Sequence, residues 1–366
     1  MNKAPISIYC TVTNDLNQDQ RMHRICTSMI TFGYEVTLIG RQRPHSTKFL
    51  PFPFKQHRLA CYFQTGFLFY AEFNLRLFFY LLFRKVDIIY SVDLDTIAPC
   101  ALINILRSKK LIFDAHEYFT ETPELLHRLF VKKFWQLIGN IFVPTADLHI
   151  TVNESLAIIL ANIYHRNFEI IYNVPALSSN DVPIIAKKPY ILYQGVLNKG
   201  RGIKEMTEAM DYIEDIDLYI IGEGDLSDSL KNIVAKSNSR NKIHFLGWLL
   251  PDEIKKYTLG ATLGLNLLDG RSQSYYYSLA NKFFDYMHAE VPSVNMNFPE
   301  YSKIIKKFNV GMMIRIMDKK EIASSINMAL NTPGFLDNLK NNCQVAKLVF
   351  NWQHEEEKLK KCLTLL

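Results

Sequence analysis

The tightest constraint on the fold is a strand–helix–glycine–strand unit at the start of the chain. Residues 6–12 (ISIYCTV) form a short β-rich run, and residues 19–32 carry Met22, Ile25, Met29 and Ile30 at helical spacing. Gly33 stops that helix, and residues 34–39 (YEVTLI) resume the apolar pattern. Elements in this order make a parallel, right-handed βαβ unit. Further apolar runs at 86–91, 110–113, 148–152 and 170–172 suit strands buried on both faces. A second series follows Asn173-Val174-Pro175, with strands at 190–194, 217–221, 242–246, 263–267, 292–294 and 311–314. Helical segments at 203–213, 225–236, 251–257 and 281–289 lie between them. The polar stretch 176–189 reads as the linker. The expected fold class is therefore α/β, two doubly wound Rossmann-like domains facing a cleft. They cover 1–175 and 176–350, and a C-terminal helix at 351–366 is expected to pack back on the first. Ligands of such sheets bind beyond the carboxyl ends of the strands.

Composition excludes several classes. Hydrophobic residues at 48% and charged residues at 21% belong to a folded chain, not a disordered one. A net charge of +6 over 366 residues is too small for a strongly basic nucleic-acid binder, so no nucleic-acid partner is expected. The six cysteines form no CxxC pair and read as reduced, buried thiols. No Cys/His cluster has metal-ligand spacing, so no metal is expected. No apolar leader follows Lys3, which reads as a cytoplasmic start.

The aromatic content of 13% is concentrated in residues 49–83. Glu72, Asn74 and Arg76 interrupt that run, and a spanning helix needs about 20 apolar residues. The stretch therefore reads either as a core helix or as an apolar surface for a membrane or lipid-linked partner. Residues 125–143, with Arg128, Lys132 and Lys133 on an apolar helix, carry the same two readings.

Candidate chemistry lies at the strand ends. Gly200-Arg201-Gly202 and Gly222-Glu223-Gly224 follow strands of the second half and open helices, where backbone N–H groups hold anions and an arginine grips phosphate. Asn281-Lys282 begins a helix with Asp285 on the same face. A cation there opposes the helix dipole unless an anion is bound, which makes Lys282 a candidate phosphate ligand. Asp285 is placed to accept from a ribose diol; the alternative is an exposed Lys282–Asp285 ion pair. In the first half, Asp114-Ala115-His116-Glu117 ends a strand, with an imidazole that switches near neutrality between two carboxylates.

At these residues the chain resembles the GT-B-fold retaining glycosyltransferases of the large family 4 (group 1). The segments that carry the resemblance are DLDTIAP at 93–99, DAHEYFTETPEL at 114–125, YNVP at 172–175 and YQGVLNKGRGI at 193–203. IGEGD at 221–225, IHFLGW at 243–248, SLANKFFDYMHAEVP at 278–292 and the closing WQHEEEKL at 352–359 follow in the family's order. The resemblance implies donor binding by the C-terminal domain and acceptor binding by the N-terminal one. Its donor-side residues are Gly195, Arg201, Gly202, Glu223, Phe245, Leu246, Ser278, Leu279, Asn281, Lys282 and Asp285. Its acceptor-side residues are Asn14, Arg21, Asp93, His116 and Glu117, and its catalytic set is His116, Arg201 and Lys282. The chain departs from the pattern at Tyr277, where the family has an acidic residue, and at Val196, where many relatives have an arginine. Lys282 is expected to restore that second cation.

The implied activity is hexosyl transfer from a UDP- or GDP-linked sugar, a co-substrate rather than a cofactor, to a hydroxyl of a glycan or polyprenyl-linked acceptor. No metal is required: Arg201, Lys282 and helix N–H groups would stabilise the leaving diphosphate. Cell-surface polysaccharide assembly at the inner face of the cytoplasmic membrane is the implied setting. Two other classes stay open, a nucleotide-sugar 2-epimerase of the same fold and a non-catalytic sugar-nucleotide binding subunit.

Overall fold

The computed structural model describes residues 5–178, 182–184 and 186–366. The chain divides into two compact units, residues 1–173 with 354–366, and residues 174–353.

Unit 1 is a seven-stranded parallel sheet in the order β3-β2-β1-β4-β5-β6-β7. Its strands are β1 (Ser7–Thr11), β2 (Glu35–Gln42), β3 (Lys55–Ala60), β4 (Ile88–Val92), β5 (Lys110–Ala115), β6 (Leu148–Thr151) and β7 (Glu169–Ile170). Helix α1 (Gln20–Thr31) joins β1 to β2. The Asp19 carboxylate caps it by accepting from the Met22 N–H, and Gly33 leaves it at φ +92°, where a side chain would be strained. Helices α2 (Gly66–Leu82), α3 (Asp93–Arg107), α4 (Leu129–Phe142) and α5 (Glu154–Tyr164) make the later crossovers.

The aromatic run resolves into two elements. Its first part holds β3, an edge strand (KQHRLA) that is only partly buried. Its second part is α2, which buries Phe69, Phe73, Leu77 and Leu81 at four-residue spacing. Each such side chain contributes about 2 kcal/mol on burial. The core reading therefore holds for one face of α2; Phe67, Leu75, Phe79 and Phe83 on the other are exposed. The polar interruptions have structural work. Glu72 accepts from the Tyr62 and Phe63 N–H groups and pairs with Arg76. Asn74 donates to the Asp95 carbonyl, which Pro99 in α3 leaves without its helical donor. The apolar helix expected at 125–143 begins only at Leu129 and buries Trp135 and Gly139.

Unit 2 is a six-stranded parallel sheet in the order β10-β9-β8-β11-β12-β13. Its strands are β8 (Tyr190–Gln194), β9 (Asp217–Ile221), β10 (Ile243–Gly247), β11 (Leu263–Asn266), β12 (Ser293–Met296) and β13 (Gly311–Ile314). The helices are α6 (Ile203–Ala209), α7 (Ser227–Ala235), α8 (Pro251–Gly260), α9 (Gln273–Tyr276) and α10 (Asn281–His288). After them come α11 (Pro299–Phe308), α12 (Lys319–Asn331) and α13 (Phe335–Lys347), while the last helix, α14 (Trp352–Thr364), belongs largely to unit 1. The segment expected as a helix over 203–213 ends at Ala209 and tightens into a single 3-10 turn. Residues 179–181 and 185 of the expected linker lie outside the described residues. All six cysteines are buried free thiols. No helix among the described residues is long and apolar enough to cross a membrane.

Candidate active site

In unit 1 the carboxyl ends of β4 and β5 hold a charged cluster. Asp114 ends β5 and is fully buried. It accepts from Arg21 Nη2 at 3.1 Å through both oxygens, and from the Tyr90 hydroxyl at 2.8 Å. His116 Nε2 stands 3.0 Å from Asp114 Oδ2. Burial works against the Asp114 charge, but Arg21 and His116 outweigh it and hold the carboxyl far below its ordinary value. Burial likewise opposes the imidazolium of His116, yet Asp114 and then Asp93 lift it above the ordinary histidine value. The His116 N–H donates to Asp93 Oδ1 at 2.8 Å, and Asp93 sits at φ +53° at the start of α3. This leaves Nδ1 of a partly exposed ring without a hydrogen bond among the described residues.

Three further carboxyls are pushed upward. Burial first, opposed by His116, lifts Asp93 to about 6. Burial and then Asp93 lift Asp95 to about 7. Desolvation and then Asp93, Glu124 and Asp95 lift Glu117 to about 8, although part of that residue is open to solvent. Arg21, Asp93, His116 and Glu117 are thus brought together. Arg21 is enclosed, however, donating also to the Ile171 carbonyl, and holds Asp114 and His116 in place rather than offering a free guanidinium. Asn14 stands apart, donating to Asp19 in the β1–α1 loop.

In unit 2 the loops after β8 and β9 press together. A Cβ on Gly222 would meet the Gly195 carbonyl at 2.0 Å, so only glycine fits there. Gly195 faces Lys282: a Cβ on it would lie 3.2 Å from Nζ. Lys282 is the second residue of α10 and only 6% exposed. Its Nζ lies 3.9 Å from the Tyr193 ring centroid and has no hydrogen-bond partner among the described residues. Arg201 interacts with the Tyr193 hydroxyl, rests 5.6 Å over the Tyr275 ring, and leaves its buried Nε unpartnered. Burial, then the charge of Arg201, push the Lys282 ammonium well below the usual lysine value, with Asp285 opposing in part. Two cations at a helix N-terminus with no anion between them make an anion site by charge, geometry and dipole together.

Asp285 is oriented by a relay: Thr258 donates to Gln194 Oε1 at 2.7 Å, and Gln194 Nε2 donates to Asp285 at 3.0 Å. The exposed Lys282–Asp285 ion pair entertained from the sequence is not formed. The Ser278–Ala280 turn leading into α10 is fixed by Tyr301, whose buried hydroxyl accepts from the Ala280 N–H at 2.9 Å. Leu279 packs inward, so only its backbone faces the loop; Asn281 is exposed. Phe245 and Leu246 are half-buried on β10, Gly202 caps α6 at φ +63°, and the exposed Glu223 pairs with Lys231. Tyr193, Gln194 and Tyr301 were not read from the sequence as site residues. Gln194 alone leaves a signal there, a polar side chain closing an apolar strand. Among the described residues no group of His, Cys, Asp and Glu has the arrangement of a metal site.

Two parallel Rossmann-like units in one chain define a fold of the GT-B class. The chain superposes on sucrose-phosphate synthase from Thermosynechococcus elongatus with a TM-score of 0.80 at 15% identity, over 98% of both chains. Anabaena HepE in complex with UDP-glucose gives 0.76 at 12% identity, over 99% of this chain and 100% of that one. WaaG, a glycosyltransferase involved in lipopolysaccharide biosynthesis, gives 0.67 at 14% over 96% and 98%. An uncharacterized glycosyltransferase of Methanocaldococcus jannaschii is 27% identical over 157 residues, 42% of this chain and 39% of that relative. Residues 177–345 match the family model of glycosyl transferases group 1. The chain carries a group 1 glycosyltransferase domain on a GT-B fold.

Proposed function

We propose that the chain is a retaining, metal-independent hexosyltransferase of family 4 type. Unit 2 takes a nucleotide-diphosphate sugar, UDP- or GDP-linked, and unit 1 takes a glycan or lipid-linked acceptor. The observation that carries the reading is Lys282, a buried side chain beside Arg201 whose Nζ has no hydrogen-bond partner among the described residues. A diphosphate supplies the missing charge, and the two cations then stabilise it as a leaving group, an electrostatic role that needs no metal. The liganded HepE neighbour supports a nucleotide-sugar donor. Asp285, held by Gln194, accepts from the ribose diol. The backbone at Gly195 and at 278–281 lines the diphosphate and sugar, and Phe245 and Leu246 flank the base. The acceptor hydroxyl attacks the donor's own face of the anomeric carbon and its proton goes to the departing diphosphate, so no protein carboxylate acts as nucleophile, unlike a retaining glycosidase. His116 offers Nδ1 to a hydroxyl on the unit 1 side. The setting is cell-surface polysaccharide assembly at the cytoplasmic membrane.

A thermal-shift screen of nucleotide sugars, scored with donor hydrolysis, tests this reading. One UDP- or GDP-sugar should raise the melting temperature and be hydrolysed slowly with EDTA present. No shift with any nucleotide would overturn it.

A further inference from the structure

We infer that the outer faces of α2 and α4 together form the surface by which unit 1 docks on an anionic lipid bilayer. The inference deepens the acceptor half of the proposed function and rests on it; the donor half stands or falls separately. In the sequence the two helices are separate apolar stretches. In the structure they meet: the Phe67 ring of α2 lies 5.8 Å from the Phe134 ring of α4, edge to face. Along α2 the exposed side chains Phe67, Leu75, Phe79 and Phe83 fall at multiples of four residues, opposite the face that packs on the core. Along α4 the exposed stripe is Phe130, Phe134, Leu137 and Ile141. Phe130 is 91% exposed, Phe83 80% and Phe67 66%, which is more aromatic surface in one place than an unpartnered soluble face carries.

The charges interleaved with these rings identify the partner. Lys133 lies three residues from Phe130 and four from Leu137, and Arg76 lies three from Phe79, so each shares a helix face with them. Arg128 precedes α4, and Arg84 and Lys85 follow Phe83; all three are exposed. Within α2 and α4 the one carboxylate is Glu72, engaged by two backbone N–H groups and Arg76. Aromatic side chains beside Arg84, Lys85, Arg128 and Lys133, none of them in an ion pair among the described residues, match the boundary between acyl chains and anionic headgroups; a protein partner would ask for carboxylates or amides to satisfy. The face also adjoins the charged cluster. Phe119, three residues after His116, packs on Trp135 of α4 at 5.3 Å, and Trp135 packs on Phe134 at 5.5 Å. A lipid-linked acceptor held at this surface is therefore a few side chains from His116.

The test is flotation of the full chain with vesicles of phosphatidylcholine alone, or with one-third phosphatidylglycerol, at low and high salt. The wild type should float with the anionic vesicles at low salt and largely lose them at high salt. Phe67→Ser with Phe130→Ser should lower partitioning by about tenfold, the scale expected for removing two interfacial rings. Arg128→Glu with Lys133→Glu should abolish the preference for anionic lipid. All four side chains are exposed, so melting temperature and nucleotide-induced shift should stay unchanged in both variants and report folding and the donor site independently. Equal flotation with both vesicles, or none with either, overturns the inference. So does a dimer that the serine variant converts to monomer, since a second copy then covers the face.

Discussion

Replacing Lys282 with methionine should make unit 2 more stable while removing its affinity for diphosphate. The side chain is buried among Tyr193, Gly195 and Arg201 with no hydrogen bond among the described residues. Burial and the Arg201 charge both disfavour the Lys282 ammonium, so the fold carries that cation at a cost that only a bound anion offsets. The partial attraction of Asp285 reduces that cost. Replacing buried charges with well-packed apolar groups is typically neutral to stabilising by about 1–4 kcal/mol. Methionine keeps most of the volume, so the gain should fall in that range. For a unit of this size each kcal/mol moves the midpoint by roughly 2–4 °C. The free protein should therefore melt several degrees higher. The wild type should gain about 2.7 kcal/mol from nucleotide diphosphate at a hundred times its dissociation constant, and the variant close to nothing. A variant that melts lower with its nucleotide shift intact would refute the argument, because Lys282 would then be a structural cation.

Two other perturbations separate positioning from chemistry. Asp95 titrates near 7 in the fold against an ordinary 3.8, so its contribution to stability is complete below about pH 4 and is lost as pH rises through 7. Asp95→Asn, which keeps an acceptor for Thr13, should flatten the pH dependence of unit 1 unfolding between these limits by 1–4 kcal/mol on the order of magnitude, and an unchanged pH slope would sink the assignment. Tyr301→Phe removes the acceptor for the Ala280 N–H and should cost about 1–3 kcal/mol of stability while weakening donor binding more than acceptor binding; equal effects on both would leave Tyr301 a core residue only.

What the sequence disclosed and what it hid follow one physical division. The βαβ start was legible because its signals are local: Asp19 caps its own helix and Gly33 takes its positive φ with no distant partner. Lys282 was legible for the same reason, since a cation in the first turn of a helix conflicts with the dipole whatever surrounds it. Strand β3 was hidden because an edge strand needs no apolar alternation, and its polar residues read as part of an aromatic stretch. Helix α3 was unread as a helix because Pro99 lies inside it, and the donor that makes this tolerable, Asn74, comes from another helix. Likewise Gln194 and Tyr301 act on Asp285 and Ala280 across 91 and 21 residues.

The same division separates the cation pair of unit 2 from the charged cluster of unit 1. An anion site is set by a helix start and nearby cations, which short motifs record. The charged cluster of Arg21, Asp93, Asp114 and His116 depends on the ends of β4 and β5 meeting α1, and its protonation states depend on burial that no motif records. Arg21 shows the consequence. By type and position it resembles a ligand for an anionic acceptor, yet Asp114 claims both its prongs and the Ile171 carbonyl takes a third donor. It holds the Asp114 carboxyl low, and Asp114 in turn raises His116, whose Nδ1 stays without a hydrogen bond among the described residues. The buried carboxyls Asp93 and Asp95, raised to about 6 and about 7, can each donate or accept near neutral pH, which the fully engaged guanidinium cannot.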